Sequence, residues 1–251
     1  MEQKYSVGAL FVTLTYSDDH LNYLDPLTGE VCYSYDDSPT AFTVPMKRDV
    51  QLFMKRYRKW MSQNSPCRFK YYIVSEFGME TLRPHYHAIF FYDSYVIPPS
   101  YHPVADLWKL GNVYAGTVSA KSCAYTTKYH ILAKSPSDEI DSRLTFALMS
   151  KGIGRGYVDD WTQDMVDLYD TRCIKIDGFT YPFPRYWKDR LRRQGLDVPE
   201  DEYRYNTAYS EFVINNPKAT RKDYEIYCEI VQAKRLQYST ENFREPSAFR
   251  H

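Results

Sequence analysis

The sequence predicts an α+β fold with a central antiparallel sheet, and three observations lead there. Residues 70–77 (KYYIVSEF) and 84–92 (PHYHAIFFY) are runs of β-formers separated by a short polar link, the pattern of an antiparallel hairpin. Met46, Val50, Phe53, Tyr57 and Trp60 recur at intervals of 4, 3, 4 and 3, which puts them on one face of a helix. Aromatics make up 17% of the 251 residues, with 14 Pro and only 10 Gly, a composition of an ordered, strand-containing chain.

In chain order, residues 8–16 (GALFVTLTY) alternate and form the first strand. The acidic stretch 17–40 holds a short strand near 31–35. The helix over 46–60 follows Pro45, which a first helical turn tolerates, and carries Lys47, Lys55, Arg58 and Lys59 on its opposite face. After the hairpin come a short helix over 103–110, a strand over 111–118 and, capped by Ser119, a helix over 120–133. Residues 150–156 (SKGIGRG) are a basic turn, 158–169 a helix, 172–180 a hairpin around Asp177-Gly178, and 185–193 a helix. Two helices fill the last fifty residues, the clearer over 223–236, so that 1–195 reads as a core domain and 196–251 as a helical C-terminal extension.

The 32 Lys plus Arg balance 32 Asp plus Glu, which excludes a protein that coats DNA with a global basic surface. The distribution is uneven. Residues 1–46 carry 1 basic against 7 acidic side chains, and residues 47–70 carry 8 against 1. A smaller basic cluster comprises Arg185, Lys188, Arg190, Arg192 and Arg193. Such faces can hold a phosphate backbone locally, although a solvated helix face is the commoner use of a charge run. The five cysteines are scattered and never form C-x-x-C, which points to a reducing cytoplasm. The first sixteen residues lack a basic leader, and no apolar run approaches the roughly 20 residues that cross a bilayer, so no membrane association is expected.

Two groups of residues carry chemistry. His85 and His87 are two apart in a strand and project to one side, where two imidazoles can share a metal ion. A lone H-x-H is more often structural. Here, a hairpin turning at Glu80-Thr81 pairs Glu76 directly with His85, and a direct pair points to one face. That ligand set holds Zn, Mn or Mg. In Tyr125-Thr126-Thr127-Lys128-Tyr129, the helical spacing puts Tyr125, Lys128 and Tyr129 on one face. An aromatic stripe packed on the sheet is the plain alternative among 25 Tyr, but such a stripe seldom needs a Lys between its rings. A phenol with a pKa of about 10 needs a neighbouring cation to act as a nucleophile, and Lys128 supplies one.

These motifs together resemble the HUH-superfamily rolling-circle replication initiators, most closely those of gokushovirus-type microviruses, small single-stranded DNA phages. The resemblance rests on Phe11-Val12-Thr13-Leu14-Thr15-Tyr16, Ser75-Glu76-Phe77-Gly78, Arg83-Pro84-His85-Tyr86-His87-Ala88-Ile89-Phe90-Phe91 and Tyr125 to Tyr129. It continues through Leu148-Met149-Ser150-Lys151-Gly152-Ile153-Gly154 and Pro184-Arg185-Tyr186-Trp187, covering roughly residues 8–195. Ser75 stands where the pattern leads one to expect a small residue such as Gly. The resemblance implies a ferredoxin-like HUH endonuclease core, with helices on one face of the sheet. It implies that Glu76, His85 and His87 bind Mg²⁺ or Mn²⁺, that Tyr125 and Tyr129 are nucleophiles assisted by Lys128, and that single-stranded origin DNA is nicked and rejoined through a 5′-phosphotyrosine. Thr13, Thr15, Arg83, Lys55 and Lys59 are the expected DNA contacts. The alternatives are a related HUH transposase or relaxase, or a single-stranded DNA-binding module whose aromatics only stack bases. The chain has no G-x-x-x-x-G-K-[ST] motif, so a helicase and a polymerase are expected from the host, in the host cytoplasm.

Overall fold

A computed structural model gives the structure of residues 1–33, 40–78, 81–94, 103–132, 144–169, 171–176, 178–199 and 209–242, with the side chains of 120, 128–132, 179, 232 and 235–242 left out of the description. The chain divides into two compact units, residues 1–153 and 154–251.

The first unit is built on five antiparallel strands: β1 (Gly8–Thr15), β5 (Phe69–Phe77), β6 (Pro84–Tyr92), β7 (Val113–Gly116) and β8 (Ala147–Met149), in the order β7-β1-β6-β5-β8. Strands β2 (Tyr23–Leu24), β3 (Val31–Cys32) and β4 (Phe42–Thr43) form a small separate sheet. The expected strand near 31–35 is thus two residues long, and 34–39 lie outside the described residues. Strand β8 was not expected, because three residues are too few to show a period.

Alternation gives the central sheet two distinct faces. On one, Leu10, Val12 and Leu14 of β1 and Tyr86, Ala88 and Phe90 of β6 pack against Val50, Phe53, Met54 and Tyr57 of helix α1 (Lys47–Asn64). Helix α2 (Val104–Trp108) closes this core with Trp108, whose Nε1 donates to the Thr15 carbonyl at 2.7 Å. The other face carries Phe11, Thr13, Thr15, His85, His87, Ile89, Glu76 and Val74, and helix α3 (Ala120–Leu132) lies against it, with Tyr125 touching His87. The expectation of helices on one face is therefore corrected. The reason is in β6 itself: Ile89 and Phe91 are as apolar as Ala88 and Phe90, and a strand apolar on both sides needs cover on both. Ser119 caps α3 as expected, its Oγ accepting from the Ser122 N–H at 3.1 Å while its own N–H donates to Ser122 Oγ at 2.8 Å.

Much of the tyrosine excess belongs to this core. Tyr16 donates to Asp49 Oδ2 at 2.6 Å and meets the Tyr86 hydroxyl at 2.8 Å, and the Met46 N–H donates to Tyr86 at 2.8 Å. Tyr57 and Tyr92 share a second buried bond of 2.7 Å. Burial, first of all, pushes these phenols far above their ordinary range, so they remain neutral donors and acceptors. Tyr86→Phe strips the partner from the Met46 N–H and from Tyr16, and is expected to lower stability by about 1–3 kcal/mol in urea unfolding.

The second unit holds helix α4 (Gln163–Leu168), the hairpin β9 (Cys173–Ile176) and β10 (Phe179–Pro182), helix α5 (Arg185–Arg193), a helix α6 over 209–215 and helix α7 (Arg221–Asn242). The expected hairpin and the two C-terminal helices are present; Asp177 lies outside the described residues. Helix α4 starts five residues later than expected. Asp159 instead lies in a turn, where it pairs with Arg190 and Arg155. All five cysteines are free, and no helix among the described residues is long and apolar enough to cross a membrane.

Candidate metal centre

The site is assembled by register. Strand β6 is the middle strand, so its residues meet partners on both sides: His85 pairs with Glu76 of β5 and Thr15 of β1, and His87 pairs with Val74 and Thr13. All these side chains share one face. The Glu76–His85 pairing is the one the sequence predicts.

Glu76 Oε2 stands 3.0 Å from His87 Nε2 and 3.4 Å from His85 Nε2. One ligand atom from each of the three residues lies within 4.8 Å of the others, and among the described residues this is the one such cluster of His, Cys, Asp or Glu side chains. Glu76 and His87 are 5% and 4% exposed. No hydrogen bond of good geometry satisfies the buried Glu76 Oε2. Burial pushes the Glu76 carboxyl up, but the two imidazoles outweigh it and hold the group below its ordinary value, as an anion. A buried carboxylate oxygen facing two imidazole nitrogens fits a divalent cation, which would give those atoms their common partner.

His87 is fixed from several sides. Its Nδ1 lies 3.0 Å from Thr13 Oγ1, the Phe11 ring stacks on it at 5.6 Å, and the Tyr125 ring meets it edge-on at 5.1 Å. Tyr125, buried on α3, is thereby placed beside the cluster. The backbones of Lys128 and Tyr129 continue the same helix, but their side chains lie outside those described.

The residues expected to contact DNA separate. Thr13 is buried, with its hydroxyl on His87. Thr15 is half-buried near His85 and donates to the Asn112 carbonyl at 3.2 Å. Arg83 is clamped within the unit, to Asp18 Oδ1 at 2.5 Å and to the Tyr16 carbonyl at 3.1 Å. Lys55 and Lys59 are exposed, but on α1, across the sheet from the carboxylate and the imidazoles. Charge along the sequence marks basic residues without saying which side of a sheet they occupy. Sequence reasoning also missed Phe11 as a wall of the site; its i, i+2 spacing from Thr13 was the available signal.

Comparison with known proteins decides the family. The model of the ORF2-type replication-associated protein family matches residues 9–134, about half of the chain and the stretch that contains every residue of this site. The chain belongs to that family. Within this replication-associated family, it is 24% identical over 216 residues to the replication-associated protein ORF4 of Chlamydia phage 1, covering 78% of this chain and 49% of that protein. It is 28% identical over 207 residues to the replication-associated protein ORF2 of Spiroplasma virus 4 (74% and 59%), and 25% identical over 203 residues to the replication-associated protein VP4 of Bdellovibrio phage phiMH2K (73% and 58%). The match thus spans about half to three fifths of the length of these relatives. No solved structure matches the chain. The resemblance to phage replication proteins seen in the motifs agrees with these matches.

Proposed function

We propose that this protein initiates replication of a single-stranded DNA phage genome by nicking an origin strand and rejoining it through tyrosine. The observation that carries the proposal is the convergence of Glu76, His85 and His87 on the sheet face that α3 covers, with the Tyr125 ring against His87. Family membership and the names of the relatives support a role in replication.

In this reading, Glu76, His85 and His87 hold Mg²⁺ or Mn²⁺, and a divalent ion there polarises a phosphate oxygen and eases departure of the leaving group. The phenol oxygen of Tyr125 or Tyr129, its proton lost, attacks phosphorus. The bond from phosphorus to the 3′ oxygen breaks, that oxygen takes up a proton, and a 5′-phosphotyrosine and a free 3′-hydroxyl result. Lys128 favours the phenolate. With two tyrosines, one holds the first 5′ end while the other cleaves the regenerated origin; attack of a 3′-hydroxyl on the phosphotyrosine then restores a phosphodiester and frees the phenol. Helicase and polymerase come from the host, in whose cytoplasm the reaction takes place.

Incubation with a labelled origin oligonucleotide and Mn²⁺ tests the reading. A covalent protein–DNA adduct that forms with Mn²⁺ and is lost in EDTA is expected. Tight binding with no adduct under any metal would instead leave a single-strand-binding module.

A further inference from the structure

The two histidines of the cluster are supported by different kinds of partner. His85 Nδ1 lies 3.3 Å from the Arg83 carbonyl, and a carbonyl only accepts, so the bond sets the proton on Nδ1 and leaves the Nε2 lone pair turned to Glu76. His87 Nδ1 lies 3.0 Å from Thr13 Oγ1, in a buried setting, and a hydroxyl both donates and accepts. His87 can therefore hold its proton on either nitrogen without losing the bond to Thr13. With the proton on Nε2, it faces the Glu76 carboxylate 3.0 Å away; with the proton on Nδ1, the Nε2 lone pair is free for a cation.

From this contrast we infer that Thr13 is a positioning residue for the metal site, its hydroxyl holding His87 through a change of tautomer when a divalent ion binds, while His85 is preset. The inference rests on the reading of Glu76, His85 and His87 as metal ligands. Thr13 reaches this position because it is the β1 residue directly paired with His87, on the face of the sheet that carries the cluster. Phe11 and Tyr125 hold the imidazole plane, so the hydroxyl decides proton placement rather than ring orientation alone. The pattern matches the general rule that a ligating imidazole donates its other N–H to a fixed acceptor.

The test uses the wild-type chain, Thr13→Val and Thr13→Ser. Mn²⁺ affinity is read from the electron paramagnetic resonance signal of free Mn²⁺, and the His87 tautomer from ¹⁵N shifts with and without Mg²⁺. Thr13→Val keeps the shape and removes the hydroxyl; it is expected to weaken Mn²⁺ binding by about 10- to 100-fold. Thr13→Ser restores the hydroxyl and is expected to bind close to wild type. In the wild type, Mg²⁺ is expected to move the His87 proton from Nε2 to Nδ1 while His85 keeps its Nδ1 proton throughout, a reading that does not depend on any variant folding. Equal Mn²⁺ affinity in wild type and Thr13→Val, equal weakening in Thr13→Val and Thr13→Ser, or a His87 tautomer unmoved by bound Mg²⁺ overturns the role of Thr13. Failure of the wild type to bind Mn²⁺ or Mg²⁺ at all overturns the metal reading itself.

Discussion

His87→Ala is expected to lower origin nicking by roughly 10³-fold, since a ligated metal supplies several kcal/mol of transition-state stabilisation at about 1.4 kcal/mol per tenfold in rate. His87 is the ligand with the most support: Thr13 at Nδ1, Phe11 stacked on its ring, Tyr125 at its edge and Glu76 at Nε2. Removing it leaves Glu76 and His85, too few to hold an ion well, and leaves Tyr125 without the ring it packs against. DNA retention in a filter assay should change little, because the proposed contribution is to chemistry and not to holding the strand. Single-turnover cleavage of a labelled oligonucleotide measures the first quantity. Cleavage within tenfold of wild type would remove His87 from the site.

Tyr125→Phe combined with Tyr129→Phe is expected to reduce the covalent adduct to background, a loss bounded only by assay sensitivity, because phenylalanine has no oxygen to form the phosphotyrosine. Each single variant should retain nicking, with recircularisation impaired where a second nucleophile is needed. Tyr125 is buried, and its replacement by Phe keeps the ring against His87, so metal binding is expected to survive in the double variant. That separation matters: an adduct lost together with Mn²⁺ affinity would point to a damaged site and not to missing nucleophiles.

The central hairpin was legible because two β-rich runs flank a short link, and once they pair, the count of residues alone brings Glu76 to His85. The face that α1 buries was legible from its 4, 3, 4, 3 spacing, which the buried Val50, Phe53 and Tyr57 bear out. The hydroxyl behind His87 was not. Parity places Thr13 on one of two faces, but only the pairing of β1 with β6 makes His87 its partner, and nothing local selects that register. The basic segment 47–70 misled in a related way. Arg56 donates to the Leu107 and Trp108 carbonyls, Arg58 to the Tyr71 hydroxyl, and Lys70 pairs with Glu2 and the Gly152 carbonyl. Part of a charge run visible in sequence is thus engaged in holding the unit together, and the exposed Lys55 and Lys59 stand on the side of the sheet away from Glu76. Tyrosine abundance has the same lesson. Tyr16, Tyr57, Tyr86 and Tyr92 form buried hydroxyl pairs, which a count of 25 could not distinguish from nucleophiles.

Peptide mapping of the Mn²⁺-dependent adduct tests the central claim most directly. After nuclease trimming and proteolysis, mass spectrometry is expected to find the residual nucleotide on Tyr125 or Tyr129, linked through a 5′ phosphate. A nucleotide on any other residue, or an adduct that forms equally in EDTA, would contradict the account.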